Sequence, residues 1–365
     1  MAEQPQRKKM RVECFAAHKA GQALTPWQYD IEPAPGPGEV DVEITHCGVC
    51  HSDVHQLDDA WGVACWPLVP GHEIAGKIIA VGAGVSNFKI GDGAAIGVQR
   101  SNCGSCRCCD AKLENVCPKI LKTYAGPGKD KGGFARHIRY PSKWVFKCPP
   151  MLEPEFAGPL MCAGITVFSP LKRFVLNSPG GARGKKVGII GIGGLGHLAL
   201  QFASRMGARV VAISRTNAKE AEARGFGAHE FLASKSVDDM KGAAGTFDML
   251  LNTVSGNAGL DEYFALLKPR GSMACVGLPE KTEKSQMFLH SLVLQERTFC
   301  GSYLGPYGDY QEMLDFACQH DVRPMIERYP FEKVNEAIER VRDNTARYRC
   351  VLYMQEDPGE PNAKM

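Results

Sequence analysis

Long apolar runs are scarce in this chain. No stretch approaches the roughly 20 consecutive apolar residues of a membrane span, so no membrane partner is expected. The first residues lack the apolar region of a secretory leader, and the chain is expected to be cytoplasmic. Charge of one sign is lacking too: 43 Lys and Arg against 40 Asp and Glu leave a formal net charge of +3. That excess is too small to argue for a nucleic-acid partner. Arg7, Lys8, Lys9 and Arg11 form a basic cluster, but it is short and lies in a polar terminus whose first part, Met1 to Lys9, reads as disordered. No internal repeat is present, which excludes repeat architectures. What remains is a chain with the composition of a globular protein, 44% hydrophobic, and at 365 residues too long for one ordinary core. Two domains are expected.

The chain is organised around Gly191, Ile192, Gly193, Gly194, Leu195 and Gly196. Lys185 to Ile190 reads as a short buried strand. His197 to Met206 places Leu198, Leu200, Phe202, Ala203 and Met206 at helical spacing. Strand, glycine turn and helix together form a dinucleotide-binding pattern. The first glycine makes the turn, the second lets the backbone approach a pyrophosphate, and the third lets helix and strand pack closely. A second strand, Ala208 to Ser214, follows. An NAD site usually carries a carboxylate at its end, on the ribose 2′-hydroxyl. Here stand Ser214, Arg215, Thr216 and Asn217, then Lys219. Hydroxyls, a guanidinium and an ammonium suit a 2′-phosphate, so NADP(H) is expected over NAD(H). Further strand–helix alternation, with strands at His229 to Leu232, Phe247 to Val254, Gly271 to Val276 and Thr298 to Leu304, makes this part a doubly wound parallel sheet.

The first 150 residues are β-rich, with short runs broken by turn residues. Two constellations lie among them. Cys103, Cys106, Cys109 and Cys117 are spaced to close a tetrahedral zinc with no open position, a structural site. Zinc would supply folding energy that this apolar-poor lobe cannot obtain by packing; Cys108 is surplus. Fifteen cysteines in an intracellular chain suggest metal ligands and free thiols more than disulfides. The second constellation is looser: Cys50, His51, Ser52, Asp53 and His55, then Gly71, His72 and Glu73. Cys50 and His72 are a plausible pair for a catalytic zinc, which takes three protein ligands and leaves a fourth position open; Cys47 is an alternative to Cys50 on spacing.

Five motifs in this order resemble a known family: Cys47 to Asp53, Gly71 to Glu73, the four-cysteine lobe, Pro159 through Cys162 to Thr166, and Gly191 to Gly196. Together they resemble the zinc-dependent medium-chain alcohol dehydrogenases, in the NADP-dependent cinnamyl alcohol dehydrogenase branch that includes broad aldehyde reductases. The match runs from about Met10 to about Met354. The resemblance implies an α/β protein: a GroES-like β-rich catalytic domain, 1–162 and 304–365, and a Rossmann NADP-binding domain, 163–303. It implies two zinc ions per chain, with Cys50, His72 and Cys162 as the catalytic ligands and Glu73 beside the metal as an occasional fourth. Asp53 would orient His72. Ser52 would bind the substrate oxygen, and His55 would stand at the outer end of a proton relay. Thr166 would touch the nicotinamide and Arg349 the pyrophosphate. Thr253, Val276 and Ser302, at the ends of the later strands, are further expected cofactor contacts. A homodimer joined through the Thr298 strand is implied as well. The sequence departs from the lignin-pathway enzymes at Lys122, where they carry tryptophan, and at Tyr303, where they carry phenylalanine. The relay's outer carboxylate falls near Ala60, beside Asp58 and Asp59.

The expected chemistry is hydride transfer between NADP(H) and a small-molecule alcohol or aldehyde, with zinc polarising the carbonyl and Ser52 and His55 passing the proton. Two other readings compete. One is reduction of an enal's carbon–carbon double bond, which in relatives accompanies loss of the relay hydroxyl or the zinc geometry. The other is a non-catalytic cofactor-binding protein, which the fold alone would permit.

Overall fold

The computed structural model describes residues 9–124, 130–256, 259–279 and 289–355. Residues 1–8 of the Met1 to Lys9 stretch read as disordered, and residues 356–365, lie outside them. The chain forms two compact units. One comprises Met1–Cys103, Lys119–Met161 and Ile326–Met365; the other comprises Gly104–Pro118 and Cys162–Met325. This division differs from the expected domains at Cys162 and in the stretches 104–118 and 304–325, which all group with the dinucleotide-binding part.

The first unit is built on a seven-stranded sheet. Its order is Ile326–Pro330, Arg349–Tyr353, Glu39–Val49, Glu73–Val81, Gly93–Ile96 and Val145–Lys147, with His137–Pro141 also paired to Glu39–Val49. Among the described residues of this sheet, only the pairing of Ile326–Pro330 with Arg349–Tyr353 is parallel. Glu39–Val49 is 11 residues long and is the spine of the unit, because Val40, Val42, Ile44, Cys47 and Val49 are all buried. It ends at Cys50, where the chain turns into the helix His51–Leu57. Its neighbour begins at Glu73, one residue after His72. Two adjacent antiparallel strands thus bring both motifs to one end of the sheet, with Gly48 opposite Glu73.

The second unit is a six-stranded parallel sheet. Its order is Glu230–Ala233, Arg209–Ser214, Lys186–Ile190, Phe247–Asn252, Leu267–Cys275 and Thr298–Gly301. Strand order reverses at Lys186–Ile190, the doubly wound arrangement with a crevice at the reversal point. The central strands are buried almost without break at Val187, Ile189, Ile190, Val210 to Ile213 and Met249 to Leu251, as sheets covered on both faces require.

A helical run from Pro154 to Leu176 carries the chain from one unit to the next. At 23 residues it is long and apolar enough to cross a membrane, although 72% of its apolar window is buried inside the protein. It serves as a core helix. It is irregular: Pro159 and Pro170 each remove a backbone donor, and wider π turns follow at Leu160–Gly164 and Lys172–Leu176.

Candidate active site

Cys50, His72, Glu73 and Cys162 are all buried, and their donor atoms lie within 4.8 Å of one another. Local structure explains each placement. Cys50 is the N-cap of the helix His51–Leu57, and its backbone N–H donates to the Asp53 carboxylate at 2.9 Å, one half of a capping box. Gly71 turns the chain with φ +97°, and its N–H donates to the same carboxylate at 2.9 Å. Cys162 lies in the first π turn of the long helix. Cys47 is not in this donor set; its thiol is fully buried beside the Gly48 carbonyl at 3.5 Å.

His72 Nδ1 lies 3.2 Å from Asp53 Oδ1 and 3.0 Å from the Tyr124 hydroxyl. With Nδ1 so engaged, Nε2 is the nitrogen left to join the donor set. Burial disfavours charge on His72, but Asp53 and the neighbouring Cys50 sulfur outweigh it and hold the imidazole well above its ordinary pKa. Burial pushes the Glu73 carboxyl up to about 8, against the pull of Arg349, whose guanidinium donates directly to it. Arg349, expected on a pyrophosphate, is therefore engaged with Glu73. The second Glu73 oxygen, Oε2, is buried with no hydrogen-bond partner. Two thiols, an imidazole and a carboxyl oxygen within one small volume fit a zinc ion.

Ser52 is half-buried, with its Oγ 3.7 Å from Cys50 Sγ. His55 is on the same helix, its ring 5.1 Å from that of His51 and 5.0 Å from that of Trp61. The carboxylates beyond it are engaged elsewhere: Asp58 pairs with Arg342, and Asp59 accepts the Ala64 N–H at 2.9 Å.

Cys103, Cys106, Cys109 and Cys117 form a second set within 4.8 Å, with Cys106 Sγ 3.6 Å from Cys109 and 3.8 Å from Cys117. Cys108 is not in it. None of the 15 cysteines is in a disulfide.

In the second unit Gly191 turns with φ +87°, and its carbonyl accepts the Thr253 hydroxyl at 3.1 Å. A Cβ on Gly196 would lie 1.9 Å from that carbonyl oxygen, so this position admits only glycine without displacing the turn. Gly193 has nothing within 4 Å of where a Cβ would be; Gly194 and Leu195 complete the loop into the helix Gly196–Arg205. Thr253, Val276 and Ser302 each follow the C-terminal end of a strand, and their N–H groups donate to Ile190, Asn252 and Cys275 at 3.0, 2.9 and 2.9 Å. Ser214 ends its strand and Arg215 is exposed beyond it, with Thr216 capping the next turn. Lys219 donates to the Ile192 carbonyl at 2.6 Å and so sits on the glycine loop itself. Thr166 is buried one helical turn past Cys162. Tyr124 is the residue that sequence reasoning missed: it stands 52 positions from His72 with no spacing signal.

A glycine loop at the reversal point of a doubly wound sheet, with a buried Cys/His/Cys set in the same chain, defines a metal-dependent dinucleotide oxidoreductase. Family models agree: residues 36–150 match the alcohol dehydrogenase GroES-like domain and residues 194–319 the zinc-binding dehydrogenase domain. The chain belongs to the zinc-dependent medium-chain alcohol dehydrogenases, in the cinnamyl alcohol dehydrogenase-like branch, and it is accordingly an alcohol–aldehyde oxidoreductase. It is 38% identical to the aldehyde reductase YahK of Escherichia coli, over 94% of this chain and 98% of that one. The solved structure of a cinnamyl alcohol dehydrogenase from Sorghum bicolor matches with TM-score 0.88 and 36% identity, covering 94% of this chain and 98% of that chain. That of the Helicobacter pylori enzyme, complexed with NADP(H), matches at TM-score 0.85 and 30% identity over 96% and 99%.

Proposed function

We propose that this chain is an NADPH-dependent aldehyde reductase, also working in reverse as a primary-alcohol dehydrogenase, with two zinc ions per chain. The observation that carries the reading is the buried Cys50, His72, Glu73 and Cys162 set with Ser52 beside it. Cys50, His72 and Cys162 hold the catalytic zinc, with Glu73 as an occasional ligand; when bound, that ion polarises the substrate carbonyl as a Lewis acid. Asp53 fixes the His72 tautomer so that Nε2 is the ligating atom. Ser52 Oγ donates a proton to the oxygen of the reduced product, and His55, three residues further along the helix, restores it from the solvent side. Cys103, Cys106, Cys109 and Cys117 hold the structural zinc.

The cofactor lies along Gly191, Gly193, Gly194, Leu195 and Gly196, with Thr166, Thr253, Val276, Ser302 and Arg349 as further contacts. Ser214, Arg215, Thr216 and Lys219 take the 2′-phosphate. Exposed Arg215 supports this assignment, since it stands where an NAD site would carry a carboxylate. A complex between NADP(H) and the Helicobacter pylori relative points the same way. We further propose a cytoplasmic homodimer. Fifteen cysteines with no disulfide among them support a reducing compartment. The strand Thr298–Gly301 ends the described order of its sheet, with Leu289, Val293 and Leu294 exposed nearby in sequence, which supports pairing across a dimer axis. Lys122, without a tryptophan's bulk, supports a substrate other than a lignin alcohol.

Initial rates for aldehydes from aliphatic to cinnamic, with NADPH and NADH at equal concentration, test the proposal. Turnover is expected with NADPH well above NADH. No turnover in zinc-loaded protein, or reduction of an enal at its double bond alone, would overturn it.

A further inference from the structure

Asp53 is fully buried and collects hydrogen bonds from several parts of the first unit. Its Oδ2 accepts the Cys50 N–H at 2.9 Å, and its Oδ1 accepts the Gly71 N–H at 2.9 Å. The shortest approach comes from elsewhere: the Tyr124 hydroxyl donates to Oδ1 at 2.5 Å. That same hydroxyl lies 3.0 Å from His72 Nδ1, nearer than the 3.2 Å of Asp53 itself. Three atoms thus form a closed triangle: imidazole Nδ1, phenol oxygen and carboxylate oxygen. The Nδ1 proton has two acceptors, and the phenol both accepts from the ring and donates to the carboxylate. The ring of Tyr124 also lies against the imidazole, with centroids 5.6 Å apart and planes 32° apart. Tyr124 is 5% exposed and His72 is 2% exposed, so bulk solvent has little access to replace the phenol.

We propose that Tyr124 is a positioning residue for the metal-ligating histidine, acting both directly on Nδ1 and through Asp53. This rests on the reading of Cys50, His72 and Cys162 as zinc ligands. The physical reason is orientational. A metal needs the Nε2 lone pair along one direction, and that direction is set by what holds the opposite ring nitrogen. Asp53 alone leaves rotational slack, because its Oδ1 is shared with Gly71. The phenol closes the triangle and removes that slack. It also ties the metal-binding end of the unit to the segment just after Leu121–Lys122, so the ring's aim is sensitive to where that segment sits.

Zinc release from the full-length zinc-loaded protein into excess chromogenic chelator tests this, comparing wild type with H72A, Y124F, D53N and Y310F. H72A identifies the release phase that belongs to this site, because that phase should be missing from it. In Y124F the same phase is expected to run about 10–100-fold faster, the usual cost of losing an outer partner of a ligating histidine. D53N keeps the side chain's size and should speed the phase in the same direction. Tyr310 is a fully buried tyrosine of the second unit, on the helix Tyr307–Gln319. Y310F therefore controls for loss of a buried hydroxyl and is expected to leave the phase unchanged. Cobalt(II)-substituted Y124F should show a shifted visible ligand-field band, because the imidazole's direction has changed. A Y124F phase and band identical to wild type, or an equal acceleration in Y310F, would overturn the proposal. If H72A loses no phase, the ligand assignment itself fails, and the proposal with it.

Discussion

The glycine loop allows a sharp test, because Gly193 and Gly196 differ in what a methyl group would meet. At Gly196 the added Cβ would lie 1.9 Å from the Gly191 carbonyl oxygen and 2.9 Å from its carbon. Both are backbone atoms, so nothing can swing aside. The turn must open by about an ångström, and the carbonyl also carries the Thr253 hydroxyl at 3.1 Å. Overpacking of this kind costs roughly 1–3 kcal/mol, and a backbone clash belongs at the upper end, about 3 kcal/mol. For a domain of this size each 1 kcal/mol moves Tm by about 2–4 °C, so G196A is expected to melt about 6–12 °C below wild type. At Gly193 nothing lies within 4 Å and φ is not positive. G193A should melt within about 2 °C of wild type, since an unstrained Gly→Ala exchange is neutral or slightly stabilising. Its methyl instead occupies the side from which a pyrophosphate approaches the backbone. Losing a hydrogen bond to a charged group costs about 1.5–3 kcal/mol, which weakens NADPH binding roughly 10–150-fold. Thermal melts and NADPH fluorescence titrations measure both quantities on the same samples. A G193A protein that binds NADPH like wild type would refute the placement of the pyrophosphate on this loop. A G196A protein that melts like wild type would refute the argument that the turn is rigid.

Two further outcomes are expected. R215D places a carboxylate where a 2′-phosphate would sit, and the kcat/KM preference for NADPH over NADH should fall by about 10–100-fold; an unchanged preference would put the phosphate elsewhere. C106A removes the sulfur 3.6 and 3.8 Å from two others of its set. Zinc content should drop by one ion per chain, and the lobe from Cys103 to Cys117 should become sensitive to protease while NADPH binding persists; retained zinc would show that these thiols do not share a metal.

Much of the second unit was legible in the sequence because buried parallel strands are nearly continuous apolar runs, as in Val187 to Ile190 and Val210 to Ile213. The cysteine lobe was legible because its donors are close in sequence. The first unit was harder. Arg349–Tyr353 inserts beside Glu39–Val49, some 300 positions away, and no local pattern encodes that pairing. The helix after Cys50 had a signal, Asp53 at the third position, but cysteine is an unusual cap and the first 150 residues read as β-rich. Contacts between Arg349 and Glu73, and between Tyr124 and Asp53, are products of tertiary folding. Pro159 and Pro170 resemble helix breakers, yet the helix continues through both by widening its turns.

The helix from Pro154 to Leu176 has a consequence for how this protein fails. It has the length and composition of a membrane span and is kept from water by the protein's own side chains rather than by lipid. Heat or denaturant that strips away this covering exposes the apolar stretch from Phe156 to Leu171, and such surfaces associate with one another faster than a large chain refolds. Durability in use is then governed by the rate at which this helix is first uncovered, and the measure that matters is a half-life rather than an equilibrium stability.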